Sequence, residues 1–373
     1  MTAITAQPVV LASGGTGGHM FPAAALAGAL LARGYRLALF SDRRGIGYAM
    51  PEGVDTYEID SASPSGPLSR KVTAIWTLLR GTLQARGLLR RLDPAAVVGF
   101  GGYASVPAMA AAVLSRRPIV LHEQNAVLGR ANRLWAGCAA AIATSFDQIS
   151  GLPKARRRGG GAVVTGNPVR AAVVEAGAIP YRPPEAGGKL RILVLGGSQG
   201  ATVFSDVLPP ALARLPEDLR RRIDLNQQCR PEDLDRVRDA YQRIGVRPVL
   251  ATFFDDVPQR LAVAHLVVSR SGASTVAEVT AAGRPAILVP YPHAMDDHQS
   301  WNARAMTAAG AAWLATDEDF TAEFLAHRLT DFLDHPAQLA AAAERSRGLG
   351  HGDAANRLAD LVVAVIGGTE AAA

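Results

Sequence analysis

An apolar strand pattern followed by a glycine-rich loop and a helical pattern occurs twice in this chain, and no other feature constrains the fold as strongly. The first copy comprises residues 7–12 and the loop SGGTGGH, and the second comprises residues 190–195 and the loop GGSQG. After each copy, short apolar runs alternate with longer helical patterns, which is typical of βαβ units in a parallel sheet. The sequence therefore predicts an α/β protein with two doubly wound, Rossmann-like halves. We expect a ligand in a central cleft at the carboxyl ends of their strands.

Length and composition agree with two domains in a reducing compartment. The chain has 373 residues, which exceeds one ordinary hydrophobic core. Its two cysteines, Cys138 and Cys229, cannot build a disulfide framework or a thiolate metal cluster. No basic residue precedes the N-terminal apolar run, which indicates a first strand rather than a signal peptide. Every apolar stretch is shorter than the roughly 18 residues of a spanning helix, so we expect no membrane crossing.

The first glycine loop carries the candidate catalytic base. Its glycines allow backbone N–H groups to approach an anion or a sugar closely. His19 follows at the start of the helix, and a histidine with a pKa near neutrality can accept the proton of an attacking hydroxyl. An exposed histidine on a tight turn is the alternative interpretation.

The same loop raises a dinucleotide-binding alternative. Asp42 ends the second predicted strand, at a distance suited to holding a ribose. The fingerprint G-x-G-x-x-G is only partly met, because Met20 stands where the third glycine should be. An NAD enzyme therefore ranks below the other hypotheses.

Two further motifs follow strands of the first half. The loop GFGGY at residues 99–103 predicts an anion or acceptor site, or a plain turn. The segment HEQN at residues 122–125 places polar side chains at the end of a strand, where they face the same crevice. Asn125 suits sugar hydroxyls. Glu123 is a candidate to orient His19, to act as a second base, or to stabilise the loop.

Three features of the second half suit a nucleotide diphosphate. The amides of GGSQG and the hydroxyl of Ser198 can bind phosphate oxygens. The segment SRSGASTVAE ends a strand and begins a helix, whose first amides form an anion site. Arg170 can place a guanidinium on the same phosphates without a metal, or it is a solvated residue at a helix start.

Other residues of the second half suit the nucleoside and the sugar. Glu278 can accept from both ribose hydroxyls, or it stabilises the helix dipole or pairs with Arg284. Phe253 and Phe254 can pack on a flat base, or they belong to the core. Gln299 and Asp296 suit sugar hydroxyls. An Asp-Asp-His cluster precedes Gln299, but arginine and helix termini already supply positive charge, so we favour a metal-free site.

The net charge of +6 favours anionic partners such as phosphates, acidic lipid or nucleic acid, although a basic surface alone explains it equally well. The apolar residues Ile75, Trp76, Leu78 and Leu79 fall among the basic residues Arg70, Lys71, Arg80 and Arg86. An apolar patch rimmed by cations suits a bilayer surface with anionic lipid. A core-facing helix stripe is the alternative for each of these residues.

Taken in order, the motifs GGTGGH, GFGGY, HEQN, GNPVR, GGSQGA, SRSGASTVAE and HQSWNA resemble those of the MurG family over nearly the whole chain. These are UDP-N-acetylglucosamine:undecaprenyl-diphospho-muramoyl-pentapeptide transferases of peptidoglycan synthesis. The resemblance implies a GT-B fold, with residues 1–168 as the acceptor and membrane-facing domain and residues 169–350 as the UDP-GlcNAc-binding domain. It implies that a helix over residues 351–366 packs back on the first domain. We expect residues 367–373 to be a disordered tail.

The implied reaction is an inverting, metal-independent transfer of GlcNAc from UDP to the 4-hydroxyl of a lipid-linked muramoyl-pentapeptide, giving a β-1,4 linkage. The implied setting is cell-wall biogenesis, with effects on cell shape and division. The protein would lie peripherally on the cytoplasmic face of the inner membrane, on an anionic surface. Cell-wall synthesis proteins are further expected partners, and nucleic acid is not.

The resemblance also assigns roles to individual residues. His19 is the base candidate and Glu123 a weaker one. The acceptor diphosphate would lie against Gly14, Gly15, Gly101, Gly102 and Tyr103. The UDP-GlcNAc site would comprise Thr16, Gly17, Gly18, Asn125, Arg170, Ser198, Gln199, Phe253, Phe254, Gly272, Ala273, Ser274, Thr275, Val276, Glu278 and Gln299.

One departure from the family pattern concerns the donor sugar, because His298 and Ser300 stand where the family often has a glutamine and an aromatic residue. Two other hypotheses remain beside the transferase. A UDP-GlcNAc 2-epimerase of the same fold would need acidic catalytic residues in the cleft. A non-catalytic, nucleotide-binding membrane scaffold would bind the UDP-sugar without turnover.

Overall fold

The computed structural model describes residues 7–15, 17–64, 67–153, 161–197 and 200–370. The chain forms two compact units. Unit 1 comprises Met1–Val169 and Asp353–Ala373, and unit 2 comprises Arg170–Gly352. Unit 2 therefore starts one residue later and ends two residues later than the expected range 169–350.

Unit 1 is built around a parallel sheet whose strands correspond to apolar runs of the sequence. The strands are β1 (Val9–Ala12), β2 (Leu37–Ser41), β3 (Val54–Glu58), β4 (Ala96–Gly99), β5 (Ile119–Glu123), β6 (Ala141–Thr144) and β7 (Ala162–Val164). They lie in the order β3-β2-β1-β4-β5-β6-β7. The order reverses between β1 and β4, so the loops after these two strands open a crevice at their carboxyl ends, where doubly wound sheets bind ligands.

Helices cover both faces of this sheet. They are α1 (Gly17–Leu31), α2 (Arg43–Ile46), α3 (Leu68–Leu92), α4 (Gly102–Leu114), α5 (Arg130–Trp135) and α15 (Ala354–Glu370). Successive residues of a strand point to opposite faces. Val9 and Leu11 therefore share one apolar cluster with α1 and α15, and Val10 and Ala12 share another with α3 and α4. The C-terminal helix is thus part of the core of unit 1.

Unit 2 repeats this plan with a second parallel sheet. Its strands are β8 (Leu190–Leu195), β9 (Ile223–Gln228), β10 (Val249–Ala251), β11 (Leu266–Ser269), β12 (Ala286–Leu288) and β13 (Ala312–Leu314), in the order β10-β9-β8-β11-β12-β13. Its helices are α6 (Ala171–Ala178), α7 (Thr202–Arg214), α8 (Glu217–Arg220), α9 (Leu234–Arg243), α10 (Val257–Val263), α11 (Ala273–Ala281), α12 (His298–Ala308), α13 (Ala322–Asp334) and α14 (Ala337–Leu349). The order reverses between β8 and β11, so the loops after these strands border the crevice of this unit.

Two edge strands and the C-terminal turn differ from the sequence expectation. The sequence predicts neither β3 nor β13, because β3 is half exposed along its length and β13 has only three residues. The expected disordered tail is wrong for residues 367–370, because α15 continues to Glu370. Leu358, Val362 and Ile366 bury the apolar face of α15 in unit 1, and this packing anchors the helix close to its end.

Helix α3 exposes an apolar stripe. Trp76 is 69% exposed and Leu83 is 70% exposed, and Ile75 and Leu79 are both more than half exposed. These positions recur at helical spacing on one side of α3, whereas Ala85 and other residues of the opposite side are buried. The alternative of a core-facing stripe is therefore wrong for this surface. Among the described residues, no helix combines the length and the apolar character that crossing a bilayer requires.

Two glycines inside α3 allow a matched test of how this helix packs against the rest of unit 1. A Cβ at Gly81 would lie 1.9 Å from the backbone O of Asp60, whereas a Cβ at Gly87 would meet no heavy atom within 4 Å. We expect Gly81→Ala to lower the free energy of unfolding by about 1–3 kcal/mol, because α3 must shift. Gly87→Ala should leave it unchanged or raise it by up to about 1 kcal/mol, because alanine favours the helix. Denaturant unfolding followed by circular dichroism measures both, and equal destabilisation by the two variants would contradict this packing.

Candidate active site

The first glycine loop of unit 1 connects β1 to α1 and is held by Asp42. Oδ1 of Asp42 accepts from the backbone N–H of Gly15 at 3.0 Å and from that of Gly45 at 2.9 Å. A Cβ on Gly14 would lie only 2.6 Å from the same oxygen, so the close approach requires glycine. The dinucleotide hypothesis needs this carboxylate for a ribose, but Oδ1 is engaged by the loop and Oδ2 lies 3.3 Å from Nε and Nη2 of Arg44. The predicted Thr16 lies outside the described residues.

His19 lies in the first turn of α1 and is half-buried. The hydroxyl of Ser13 donates to the backbone O of His19 at 3.0 Å. A Cβ on Gly102 would lie 3.2 Å from both Cδ2 and Nε2 of the imidazole. Unit 1 therefore places the base candidate beside the loop GFGGY, which the sequence predicts to be an acceptor site or a plain turn.

The loop GFGGY connects β4 to α4 through two glycines in the left-handed region. Gly101 has φ of 81° and Gly102 has φ of 70°, conformations that favour glycine. Tyr103 follows in the first turn of α4 and is half-buried. The left-handed turn at these glycines places the loop beside His19.

Glu123 organises the segment that follows β5. Its Oε1 accepts from the backbone N–H of Asn125 at 3.0 Å, and its Oε2 accepts from the backbone N–H of Gly129 and from Nδ2 of Asn132, both at 2.8 Å. Glu123 is 1% exposed. A buried carboxylate whose two oxygens both bind loop amides positions that loop. The geometry favours the loop-stabilising alternative for Glu123 over a role as base.

His122 lies in a buried polar network that joins three motifs of unit 1. Nε2 of Gln124 donates to the backbone O of Phe100 at 2.9 Å and lies 3.1 Å from Nδ1 of His122. Because Gln124 Nε2 is a donor, Nδ1 accepts, and the Nε2–H of His122 donates to the backbone O of Gly166 at 3.2 Å. Burial lowers the pKa of His122 from 6.5 to about 4. The ring is therefore neutral near pH 7.

The glycine loop of unit 2 is also fixed by a buried side chain. Oε1 of Gln228 accepts from the backbone N–H of Gly196 at 3.1 Å, and its Nε2 donates to the backbone O of Gly197 at 3.0 Å. Gly197 has φ of 82°. Sequence reasoning missed Gln228 and also the loop-holding role of Asp42. The signal available was a polar residue at or just after the carboxyl end of a strand next to the glycine loop. The predicted Ser198 and Gln199 lie outside the described residues.

Helix α11 begins with an anion-binding geometry. Gly272 is its N-cap, and no side chain caps the first amides. Oγ of Ser274 is buried and has no hydrogen-bond partner among the residues that the structure describes. Uncapped N–H groups and an unsatisfied hydroxyl at a helix N-terminus suit a phosphate. Ala273, Thr275 and Val276 lie in the same first turns.

Gln299 lies next to this helix start. The hydroxyl of Ser271 donates to the backbone O of Gln299 at 2.8 Å, and Oε1 of Gln299 accepts from the backbone N–H of Tyr291 at 2.9 Å. Its Nε2 is the group that remains to donate to a ligand. In the preceding turn, Asp296 and Asp297 both have φ of 53°, a strained conformation that is concentrated at functional sites.

Arg170 and Glu278 form an ion pair within unit 2. Nε and Nη2 of Arg170 both lie 2.9 Å from Oε1 of Glu278, so Oε2 is the oxygen that can accept from a ligand hydroxyl. Burial raises the pKa of Glu278, and the charge and hydrogen bond of Arg170 oppose that shift. The alternative partner Arg284 instead donates to the backbone O of Leu261 and of Ala262, both at 2.7 Å.

The two phenylalanines after β10 have different environments. Phe253 is 66% exposed and can stack on a planar group. Phe254 is 5% exposed, and the guanidinium of Arg260 lies 4.1 Å from its ring centroid. The ring of Phe254 therefore belongs to the core, as the alternative interpretation held. Within the described ranges, no three His, Cys, Asp or Glu side chains are grouped so that they could hold a metal ion.

Comparison with known proteins identifies the family. Residues 9–144 match the glycosyltransferase family 28 N-terminal domain, and residues 191–358 match the C-terminal domain of that family. A protein of Rhodospirillum centenum is 55% identical over 96% of this chain and 95% of its own length, and one of Paramagnetospirillum magneticum is 54% identical over 97% and 98%. Both are named UDP-N-acetylglucosamine--N-acetylmuramyl-(pentapeptide) pyrophosphoryl-undecaprenol N-acetylglucosamine transferase. The chain belongs to the MurG family of glycosyltransferases.

Solved structures agree with a MurG-family fold. The crystal structure of Acinetobacter baumannii MurG superposes with a TM-score of 0.74 at 28% identity and covers 95% of this chain and 99% of its own. A UDP-GlcNAc 2-epimerase from Neisseria meningitidis superposes with a TM-score of 0.64 at 13% identity, covering 95% and 99%. The second likeness shows the GT-B fold alone, because one fold hosts several activities.

The buried imidazole of this MurG-family chain predicts an acid-sensitive stability. Below pH 6.5 an unfolded histidine takes up a proton, whereas His122 stays neutral down to about pH 4. The contribution of the neutral His122 ring to the free energy of unfolding is therefore complete above pH 6.5 and is lost as pH falls toward about 4. We expect His122→Gln to lower the melting temperature at pH 7.5 and to flatten its decrease between pH 6.5 and pH 4.5. The exposed His327→Gln is the control, and parallel curves for wild type and His122→Gln would contradict the assignment.

Proposed function

We propose that this chain transfers GlcNAc from UDP-GlcNAc to the 4-hydroxyl of the muramoyl sugar of an undecaprenyl-diphosphate-linked muramoyl-pentapeptide. The product is the β-1,4-linked disaccharide lipid of peptidoglycan synthesis. The observation that carries this proposal is the identity of 55% over 96% of the chain with a relative whose name states this transfer. The epimerase of similar fold, at 13% identity, provides no comparable support.

The donor is proposed to bind to unit 2. The uncapped first turn of α11 and the unsatisfied hydroxyl of Ser274 suit its diphosphate. Oε2 of Glu278 suits a ribose hydroxyl, the exposed ring of Phe253 suits the uracil, and Nε2 of Gln299 suits the sugar. Among the residues that the structure describes, no protein hydrogen bond occupies these polar atoms, so each of them can contact the donor.

Departure of UDP leaves negative charge on the diphosphate, which the site must stabilise. Nε and Nη2 of Arg170 contact Glu278, which places the guanidinium against α11. We propose that Arg170 also contacts the diphosphate and that, together with the amides of α11, it replaces a metal ion. Glu278 would thereby orient Arg170 as well as bind the ribose.

The acceptor is proposed to bind to unit 1, with its diphosphate against the two glycine loops and its 4-hydroxyl at His19. In the transfer the hydroxyl oxygen forms a bond to the anomeric carbon while the bond from that carbon to the phosphate oxygen breaks. His19 takes the hydroxyl proton, and UDP leaves with the bonding electron pair. Attack opposite the leaving group converts an α-linked donor to a β-linked product.

The lipid part of the acceptor requires access to a membrane. The exposed stripe of α3, which contains Ile75, Trp76, Leu79 and Leu83, suits insertion among lipid head groups. Arg80 lies on the same helix; its Nε pairs with Oδ2 of Asp60 at 2.9 Å, and its side chain is 76% exposed and suits anionic lipid. We propose a peripheral location on the cytoplasmic face of the inner membrane.

Release of UDP tests the proposed function. The protein is incubated with UDP-GlcNAc, with and without a short-chain lipid-linked muramoyl-pentapeptide diphosphate, and UDP and products are measured by mass spectrometry. We expect UDP release only with the acceptor, matched by a disaccharide-lipid product. Conversion of the donor without acceptor would indicate an epimerase, and donor binding without any turnover would indicate a scaffold. Either result would overturn the proposal.

Substitution of His19 tests the assignment of the base. His19→Ala and His19→Gln should each lower kcat by roughly 10²–10⁴-fold, because neither side chain can accept the proton. The dissociation constant for UDP-GlcNAc, measured by calorimetry, should stay close to wild type. A kcat within a few-fold of wild type for either variant would remove His19 from this role.

Substitution of Glu278 tests the ribose contact. Glu278→Ala should weaken UDP-GlcNAc binding by about 10–100-fold, because a hydrogen bond to a charged group is lost. The exposed Glu175→Ala is the matched control. Donor analogues with 2′-deoxy and 3′-deoxy ribose complete the cycle: Glu278→Ala should weaken binding of the analogue that lacks the contacted hydroxyl by a smaller factor than it weakens binding of UDP-GlcNAc. If Glu278→Ala weakened both analogues as much as UDP-GlcNAc, Glu278 would act only through Arg170.

A further inference from the structure

We infer that Arg44 is a binding residue for the diphosphate of the acceptor, held beside the first glycine loop by Asp42. This inference rests on the proposed function, because it concerns the acceptor of that reaction. It adds a cation to a site that the sequence motifs describe only by glycines and one tyrosine.

The carboxylate of Asp42 divides its contacts between the loop and the arginine. Oδ1 accepts from the backbone N–H of Gly15 and of Gly45, at 3.0 and 2.9 Å. Oδ2 lies 3.3 Å from Nε and 3.3 Å from Nη2 of Arg44. Asp42 is 8% exposed, so one buried group sets the position of both the glycine loop and the guanidinium.

The guanidinium of Arg44 lies next to the loop and faces solvent. A Cβ built on Gly15 would lie 3.6 Å from Nη2 of Arg44. The side chain of Arg44 is 76% exposed. Two of its nitrogens engage Asp42, and the N–H groups that remain of its five are available to an anion at the loop.

Stability does not explain this arrangement. An ion pair whose arginine is so exposed contributes little to folding, because water and salt screen it. The loop segments SGGTGG and GFGGY contain no lysine or arginine, so their backbone amides provide only partial charges. A diphosphate carries full negative charges, and a guanidinium forms paired hydrogen bonds with phosphate oxygens. Arg44 supplies the full positive charge that the loops lack.

Arg43 provides an internal control. It is the neighbouring residue in α2, has the same charge, and is also exposed. Among the described residues, the one atom within 4 Å of a Cβ built on Gly15 belongs to Arg44, so Arg43 does not approach that glycine. A general attraction of the basic surface for a lipid-linked anion would involve both arginines equally, whereas a placed phosphate ligand would involve Arg44 alone.

The test compares Arg44→Ala, Arg44→Lys and Arg43→Ala with wild type. Initial rates of UDP release are measured against a short-chain lipid-linked muramoyl diphosphate and against the same acceptor with a single phosphate. We expect Arg44→Ala to raise the KM for the diphosphate acceptor by about 10–100-fold, as for loss of a charge-assisted hydrogen bond. The increase for the monophosphate acceptor should be several-fold smaller. Arg44→Lys should lie between wild type and Arg44→Ala, because lysine keeps the charge but loses the paired geometry.

Three further readouts separate this role from a structural one. Arg44→Ala should keep the wild-type affinity for UDP-GlcNAc and the wild-type melting temperature. Arg43→Ala should match wild type in every rate. If Arg44→Ala and Arg43→Ala had the same KM for the diphosphate acceptor, the inference would be overturned, whereas the proposed function would stand. An equal increase of KM for the two acceptors would also overturn it. If wild type releases no UDP on addition of acceptor, the proposed function fails, and this inference fails with it.

Discussion

Buried polar side chains that hold backbone amides at the carboxyl ends of the strands are the interaction on which the candidate site depends. Asp42 holds Gly15 and Gly45, Glu123 holds the segment after β5, and Gln228 holds Gly196 and Gly197 at the start of the loop after β8. A buried amide without a partner is costly, so these carboxylates and amides fix the conformation of the loops before any substrate arrives. Groups that are already oriented stabilise charge without reorganising during the reaction.

The hydrogen bonds between buried side chains and loop amides explain why the loops are rich in glycine. Each loop must bring its backbone close to a buried side chain on one side and to a ligand on the other. At Gly14 a Cβ would collide with Asp42, and at Gly102 it would press on His19. The glycines therefore allow the buried side chains to set the positions of the backbone groups that face the ligand.

Much of the fold follows from the sequence, because central strands are buried on both faces and appear as short apolar runs. The edge strands β3 and β13 escape prediction because exposure or shortness removes that signal. The helical end of α15 escapes prediction because chain termini are often disordered, whereas packing of Ile366 and its neighbours anchors the helix. Local sequence does not contain such tertiary contacts.

The sequence predicts which residues belong to the candidate site but not which of them contact each other. Motifs locate His19, Glu123, Arg170 and Glu278, yet only the structure shows Arg170 against Glu278 and Glu123 surrounded by amides. It also separates the exposed Phe253 from the buried Phe254. These outcomes depend on contacts between residues distant in the chain, which one sequence does not reveal.

We propose that fixed protein charges, and not a bound metal, stabilise the departing UDP. The direct test is the rate of acceptor-dependent UDP release after dialysis against EDTA. The full rate is expected, and a loss of activity that added Mg²⁺ or Mn²⁺ restores would contradict the proposal.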